Sequence, residues 1–285
     1  MILCIGNINF DIIIPTSRLP DPHEKMTCED SIFGFGGSAA NTAYWLARLG
    51  CDVAMAGAVG DDLPGREHIA ALADAGVNVA GIEITESSTG IASIFTTGRE
   101  KRMVRSQGAN LHGEFRPELL SGCRMVYLSS GNVNLAKEYA RYAEEQDIPV
   151  FLNPGSTDHS ELLGDVTAVV LNLDELTAIT GIQDPDEALL ALDKQVAVVT
   201  LPEGGCIAVQ GFRTKRFPFP EIEPVDSTGG GDAFAAGFLS AMKECKPLGV
   251  CAQRGNVLAR EVIMRWGARP TGIRVEDILK ESEKV

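Results

Sequence analysis

No uninterrupted apolar run in the 285 residues reaches the roughly 18 needed to span a membrane. The apolar start at residues 1–5 is brief and carries no basic leader, so neither a signal peptide nor a membrane partner is expected. Positive charge is also scarce. Lys and Arg number 25 against 39 Asp and Glu, a formal charge of −14 with no offsetting basic stripe, which excludes a typical nucleic-acid binder. The seven cysteines are scattered and include no C-x-x-C pair, which fits free thiols in a reducing cytoplasm. The four histidines, His23, His68, His112 and His159, lack metal-ligand spacing and are expected on the surface or in loops. Several phosphate and nucleophile motifs are missing as well. There is no G-x-x-x-x-G-K-[ST], no G-x-G-x-x-G after the first strand, no protein-kinase signature and no G-x-S-x-G elbow.

What is present is an alternation of short apolar strands with helices closed by glycine. Strands are expected at 2–5, 53–58, 125–128, 149–152, 168–171 and 196–201, a hairpin at 206–209 and 214–217, and helices at 38–49, 63–75, 135–146, 174–180, 232–243 and 248–266. Such repeats predict a mostly parallel sheet covered by helices on both faces, with ligands at the carboxyl ends of its strands. Residues 10–35 and 90–106 have a different texture, extended and hairpin-like, with a polar turn at 98–101. Nothing resembles a linker or a repeat, so one domain with a small β excursion is expected.

Residues 226–239, DSTGGGDAFAAGFL, carry the strongest chemistry. Gly229, Gly230 and Gly231 at the mouth of an apolar helix leave amides uncovered where the helix dipole favours an anion. Asp232 lies in the first turn of that helix. A carboxylate beside a phosphate cradle is understandable if it takes a proton from an attacking hydroxyl. Taken alone, the same residues are an ordinary helix start. Near the other end, Asn9 and Asp11 fall at the polar end of the first strand, on one face if the strand continues, and suit a polyol, with Gly36, Gly37 and Asn41 able to close on the same pocket.

GGSAANTAYWLARLG at 36–50 and the 226–239 segment resemble the two signatures of the ribokinase (PfkB-type) carbohydrate and nucleoside kinase family. The N-x-D of Asn9 and Asp11, the N-x-x-E of Asn172 and Glu175, and a tail element near Asn256 and 267–268 fall in the family's order. The resemblance implies a three-layer α/β/α sandwich with a small β-sheet lid, formed by about 10–35 and 88–108. It implies ATP-dependent phosphorylation of a hydroxymethyl group. Asp232 matches the general base, with Gly229, Gly230 and Gly231 as the anion hole. Asn9, Asp11, Gly36, Gly37 and Asn41 match sugar-binding positions. Thr200, Gly205, Gly229, Gly231 and Asn256 match the ATP side. Asn172 and Glu175 match the motif organising Mg²⁺, and Asp226 and Thr228 the place where many members bind a monovalent cation such as K⁺. Lids in this family often pair, so the resemblance implies a homodimer through the lid.

Departures occur at Pro202, where the family usually has Gly, at Asn153 and in the lid segment 24–32. Ribose or a nucleoside is the favoured acceptor, helped by Asn110 after the second lid strand. A hexose, a sugar phosphate or 2-keto-3-deoxygluconate is the alternative. Arg99, Lys101, Arg102 and Arg105 could serve a phosphorylated hexose, although a solvated hairpin is the simpler account. A non-catalytic binding protein would be expected to have lost Asp232 or the glycines, and both are intact.

Overall fold

Ile2, Leu3, Cys4 and Ile5 form β1 (Ile2–Ile5), and all four are buried. Ile2 and Cys4 join the apolar cluster on one side of the sheet, Leu3 and Ile5 the cluster on the other. A strand covered on both faces has no polar position, which accounts for the unbroken run. The same division recurs in β8 (Met125–Leu128), where Met125 and Tyr127 face one cluster and Val126 and Leu128 the other. The computed structural model describes residues 1–97, 101–155 and 157–284, excluding the side chains of residues 157–160 and 210. Residues 98–100 of the predicted turn at 98–101, Arg99 among them, and the His159 side chain lie outside the described residues.

Around β1 and β8 the large sheet runs in the order β13 (Arg213–Phe217), β12 (Cys206–Gln210), β11 (Val196–Thr200), β10 (Ala168–Asn172), β9 (Val150–Leu152), β8, β1, β4 (Val53–Gly60), β5 (Asn78–Thr85). It is parallel except where β12 pairs antiparallel with β11 and β13. One face is covered by α1 (Ser38–Arg48), α2 (Leu63–Asp74), α6 (Gly230–Lys243), α7 (Leu248–Ile263) and α8 (Val275–Ser282). The other is covered by α3 (Val133–Glu145), α4 (Leu173–Thr180) and α5 (Pro185–Ala191). Arg254, 1% exposed, ties α7 to α6 through Ser240 and Glu244 and to the end of α8 through Ser282. The fold is the expected three-layer α/β/α sandwich. No described helix is long and apolar enough to cross a membrane.

A second sheet runs β3 (Ile32–Gly36), β2 (Asn9–Pro15), β6 (Gly90–Thr96), β7 (Lys101–Ser106). Asn9 and Asp11 therefore do not lie at the end of the first strand, as the sequence suggests. The chain leaves the large sheet at Gly6, whose φ of 147° only glycine adopts readily, and β2 starts afresh in the small sheet. Among the strands and α-helices, β5, α5 and α8 go unpredicted: β5 mixes exposed and half-buried positions without strict alternation, and α5 and α8 are about two turns each.

Gly37 links β3 of the small sheet to α1. It precedes α1 at φ 88°, and an added Cβ would lie 2.3 Å from the Asn7 carbonyl oxygen. Gly37→Ala should therefore cost about 1–3 kcal/mol in backbone strain alone. The expected result is a lower urea midpoint with an unchanged m value.

Candidate active site

Neighbouring strands of the large sheet each end in a polar side chain. Asn7 follows β1, Ser130 follows β8 and Asn153 follows β9, while Asn172 and Thr200 close β10 and β11. All line one cavity of about 470 Å³, roofed by Asn9 and Asp11 from β2 and bounded by Ser38 and Asn41 of α1 and the turn before α6. The polar residues sit there because the strands themselves are buried on both faces. Only their carboxyl ends can carry groups that meet a ligand.

Asp232 is 9% exposed and lines this cavity. Ser38 Oγ donates to its Oδ1 at 2.6 Å and Asn41 Nδ2 to its Oδ2 at 2.8 Å. Burial raises its pKa; the two hydrogen bonds and the charges of Arg269 and Lys101 pull the other way. A carboxylate held by two donors, yet desolvated, is oriented and more basic than usual. Gly229 adopts the left-handed conformation at φ 77°, and no side chain caps α6. The Gly231 and Asp232 amides make no backbone hydrogen bond to another described residue. An added Cβ at Gly231 would meet nothing within 4 Å, so the amide turn is open to the cavity.

On the roof, Asn110 Nδ2 donates to Asn9 Oδ1 at 2.6 Å, which turns the Asn9 amide nitrogen towards the cavity. Asn110 thus acts behind Asn9 and does not line the cavity, contrary to its suggested role in facing a ribose. Asp11 Oδ1 is buried without a partner. Burial pushes the Asp11 carboxyl up to about 7; Arg269 pulls it down, and Asp232 and Asp226 add to the rise. A donor at Asn9 beside a free acceptor at Asp11 is the pairing that adjacent hydroxyls satisfy. Gly36 pairs beside this group, and a Cβ there would fall 2.1 Å from the Asp11 carboxylate oxygens.

Asn172 and Glu175 form a reciprocal capping box at the start of α4, with bonds of 2.8 and 3.0 Å. Both also line the cavity, and burial raises the Glu175 pKa. Asp226 is buried beneath the turn. Its Oδ1 accepts from Thr228 N and Oγ1 at 3.0 and 2.7 Å, and its Oδ2 from Gly267 N at 3.0 Å. A second, smaller cavity of about 170 Å³ adjoins the first and shares Gly231 and Thr200 with it. Gly205, Phe219, Ile222, Phe234, Ile263 and Asn256 line it, and the Asn256 Nδ2 is buried without a partner. Pro202 occupies the second position of a turn closed by Gly204 N to Leu201 O at 3.1 Å. Proline is favoured there, so this departure leaves the loop intact.

The sequence reading misses three participants. Ser38 holds Asp232 directly. Arg269 donates from Nε to Asn41 Oδ1 at 2.8 Å, which fixes the Asn41 amide with its nitrogen on Asp232. Its Nη2 lies 2.9 Å from His68 Nε2. A guanidinium only donates, so His68 must accept there and be neutral; burial and Arg269 push the histidine pKa well down. His68 is completely buried against Phe35, not in a loop or on the surface as expected. Its place with Gly65 and Leu72 on the buried stripe of α2 is the signal that could have revealed it. Burial lowers the Arg269 pKa to about 10, partly offset by Asp11, Tyr44 and Asp232, so it stays charged near neutrality.

The family model described as pfkB family carbohydrate kinase matches residues 1–273. An ATP-dependent ribose-1-phosphate kinase of Halopiger xanaduensis is 28% identical over 98% of both chains. A cytidine kinase of Thermococcus kodakarensis is 29% identical over 93% of this chain and 97% of its own. Arabidopsis thaliana ribokinase, solved with ribose and ATP, superposes with a TM-score of 0.86 at 24% identity, covering 100% of this chain and 99% of that one. The last likeness concerns the fold. From the family match over almost its whole length, the chain belongs to the pfkB family of carbohydrate kinases, phosphotransferases that act on an alcohol group.

Proposed function

We propose that the protein transfers the γ-phosphoryl group of ATP to the hydroxymethyl group of a ribose-type ring, free or within a larger molecule. The observation that carries this is Asp232, held by Ser38 and Asn41 between a hydroxyl-binding roof and an open amide turn. In the proposed mechanism, Asn9 and Asp11 bind ring hydroxyls and bring the hydroxymethyl oxygen to Asp232. Asp232 accepts its proton as the oxygen attacks phosphorus, and the Gly231 and Asp232 amides stabilise the migrating charge. The smaller cavity suits the adenine ring, with apolar walls and an orphaned Asn256 amide donor to satisfy. The small sheet acts as a lid that excludes water and suppresses ATP hydrolysis.

The donor set also fits Mg²⁺. Glu175 is a desolvated acid in the cavity with one oxygen outside the capping box, and Asn172 lies beside it. No described group of three or more His, Cys, Asp or Glu could hold a metal, which suits an ion shared with phosphates and bound partly through water. When bound, Mg²⁺ would neutralise charge on the nucleotide phosphates. Asp226 already accepts three protein hydrogen bonds, which leaves room for a K⁺ ion but gives the residue a structural task without one. The outer face of the lid exposes Phe33 (63%) and Val104 (70%), an apolar surface that supports pairing with a second copy.

The test is ADP release with ATP and Mg²⁺ over ribose, ribose 1-phosphate, common nucleosides, fructose, fructose 6-phosphate and 2-keto-3-deoxygluconate. Turnover is expected with a ribose-containing acceptor. Turnover with hexoses alone would redirect the acceptor, and none with any of them would remove the assignment.

A further inference from the structure

We infer that the acceptor carries a phosphate on the ring carbon opposite its hydroxymethyl group, bound by Arg105 and Lys101 of the lid. This rests on the sugar-kinase reading above and concerns the far end of the same pocket.

Strand register places the residues. Asp11 pairs with Ala92, and Ala92 with Arg105, so the three form one row across the small sheet and share a face. Asp11 and Arg105 are two inter-strand steps of about 4.8 Å apart, roughly the span of a pentose ring and its substituent. Between them Ala92 contributes only a methyl group, which leaves room beneath the sheet. Lys101 and Met103 alternate with Arg105 and line the same cavity, while Arg102 and Val104 fall on the opposite face. Two of the three cations on β7 therefore face inward.

The composition of the wall narrows what those cations meet. No aromatic side chain lines the main cavity among the described residues, and only Ala92 and Met103 offer apolar surface from β6 and β7. A nucleobase at this position would lack a ring to stack on. Neither Arg105 nor Lys101 forms an ion pair with another described residue. In a chain with 14 excess negative charges, and beside Asp11, Asp232 and Glu175, an anionic acceptor would be repelled without such a pair. Both side chains are exposed at the rim, so they can bind a phosphate without first being desolvated.

The reaction balances as ATP plus sugar phosphate giving ADP plus sugar bisphosphate. The hydroxymethyl oxygen forms the new P–O bond, the bond between the γ-phosphorus and the β–γ bridging oxygen breaks, and the hydroxyl proton passes to Asp232.

The wild-type protein is assayed for ADP release with ATP, Mg²⁺ and ribose, cytidine, adenosine or ribose 1-phosphate. The expected kcat/KM for ribose 1-phosphate exceeds that for each neutral acceptor by at least about tenfold, and its KM rises with ionic strength. Arg105→Gln with Lys101→Gln should reduce that preference by at least about tenfold, through KM. Because both residues are exposed, the variant's melting curve checks that folding is intact. Equal or better use of ribose or a nucleoside, or a preference the variant leaves unchanged, overturns the inference while the kinase assignment stands. Absence of ADP release with every acceptor sinks both.

Discussion

Asp232→Asn is expected to leave the protein folded and able to bind ATP while lowering kcat by at least about 10²–10⁴. The substitution is nearly isosteric. An Asn at 232 can keep its carbonyl oxygen on Asn41 Nδ2 and turn its amide towards Ser38, whose hydroxyl accepts as readily as it donates. What it cannot do is take a proton from an alcohol. Removing a desolvated carboxylate should also leave stability unchanged or higher. A melting curve, a binding isotherm for ATP and a single-turnover rate separate these effects. Normal turnover would show that the proton goes elsewhere. The same geometry fixes the sign of a pH effect. Burial raises the Asp232 pKa, so the proposed base would take up a proton at a pH above the ordinary value of 3.8. The acid limb of kcat/KM should lie on the alkaline side of that value in the wild type.

Most of the frame was legible because its signals are local. β1, β8, β10 and β11 are short apolar runs, and a run covered on both faces announces itself. Asp232, Gly229–Gly231 and Asn41 were legible because consecutive glycines at a helix mouth have few structural uses. The roles of Arg269 and His68 were not. They lie 201 positions apart in sequence, and nothing local marks either as the partner of the other. Arg269 reads as one more surface cation in the tail until the fold sets it between Asn41, His68 and the Tyr44 ring, 5.2 Å away. Asn110 illustrates the reverse error. Its position after the second lid strand suggests ligand contact, whereas its side chain is spent on Asn9 and the Ile8 amide. Local sequence can announce a polar residue near a site, but which side it serves depends on long-range packing.

Asp11→Asn should give opposite changes in binding and stability. In the wild type, burial lifts the Asp11 carboxyl from 3.8 to about 7, with Arg269 only partly compensating. A group whose folded pKa lies above its unfolded value keeps its proton in the native state after the unfolded chain has lost it. Native stability therefore falls as pH rises from about 4 to about 7, and the loss persists above that range. Asn carries no charge to desolvate. The variant should melt at least about 3 °C higher at pH 8, with little difference at pH 4. Binding should change the other way. In the proposed binding mode the buried, unpartnered Oδ1 accepts from a ring hydroxyl, and replacing a charged acceptor with an amide should then raise the acceptor KM by about tenfold or more. Thermal melts at the two pH values and steady-state kinetics with a saturating nucleotide read both effects. No gain in melting temperature at pH 8 would mean that the carboxylate is not destabilised by its surroundings. An unchanged KM would mean that the sugar does not lie beneath Asp11. Together, a gain in stability and a loss of affinity would identify Asp11 as a residue retained for its ligand at the expense of the folded state.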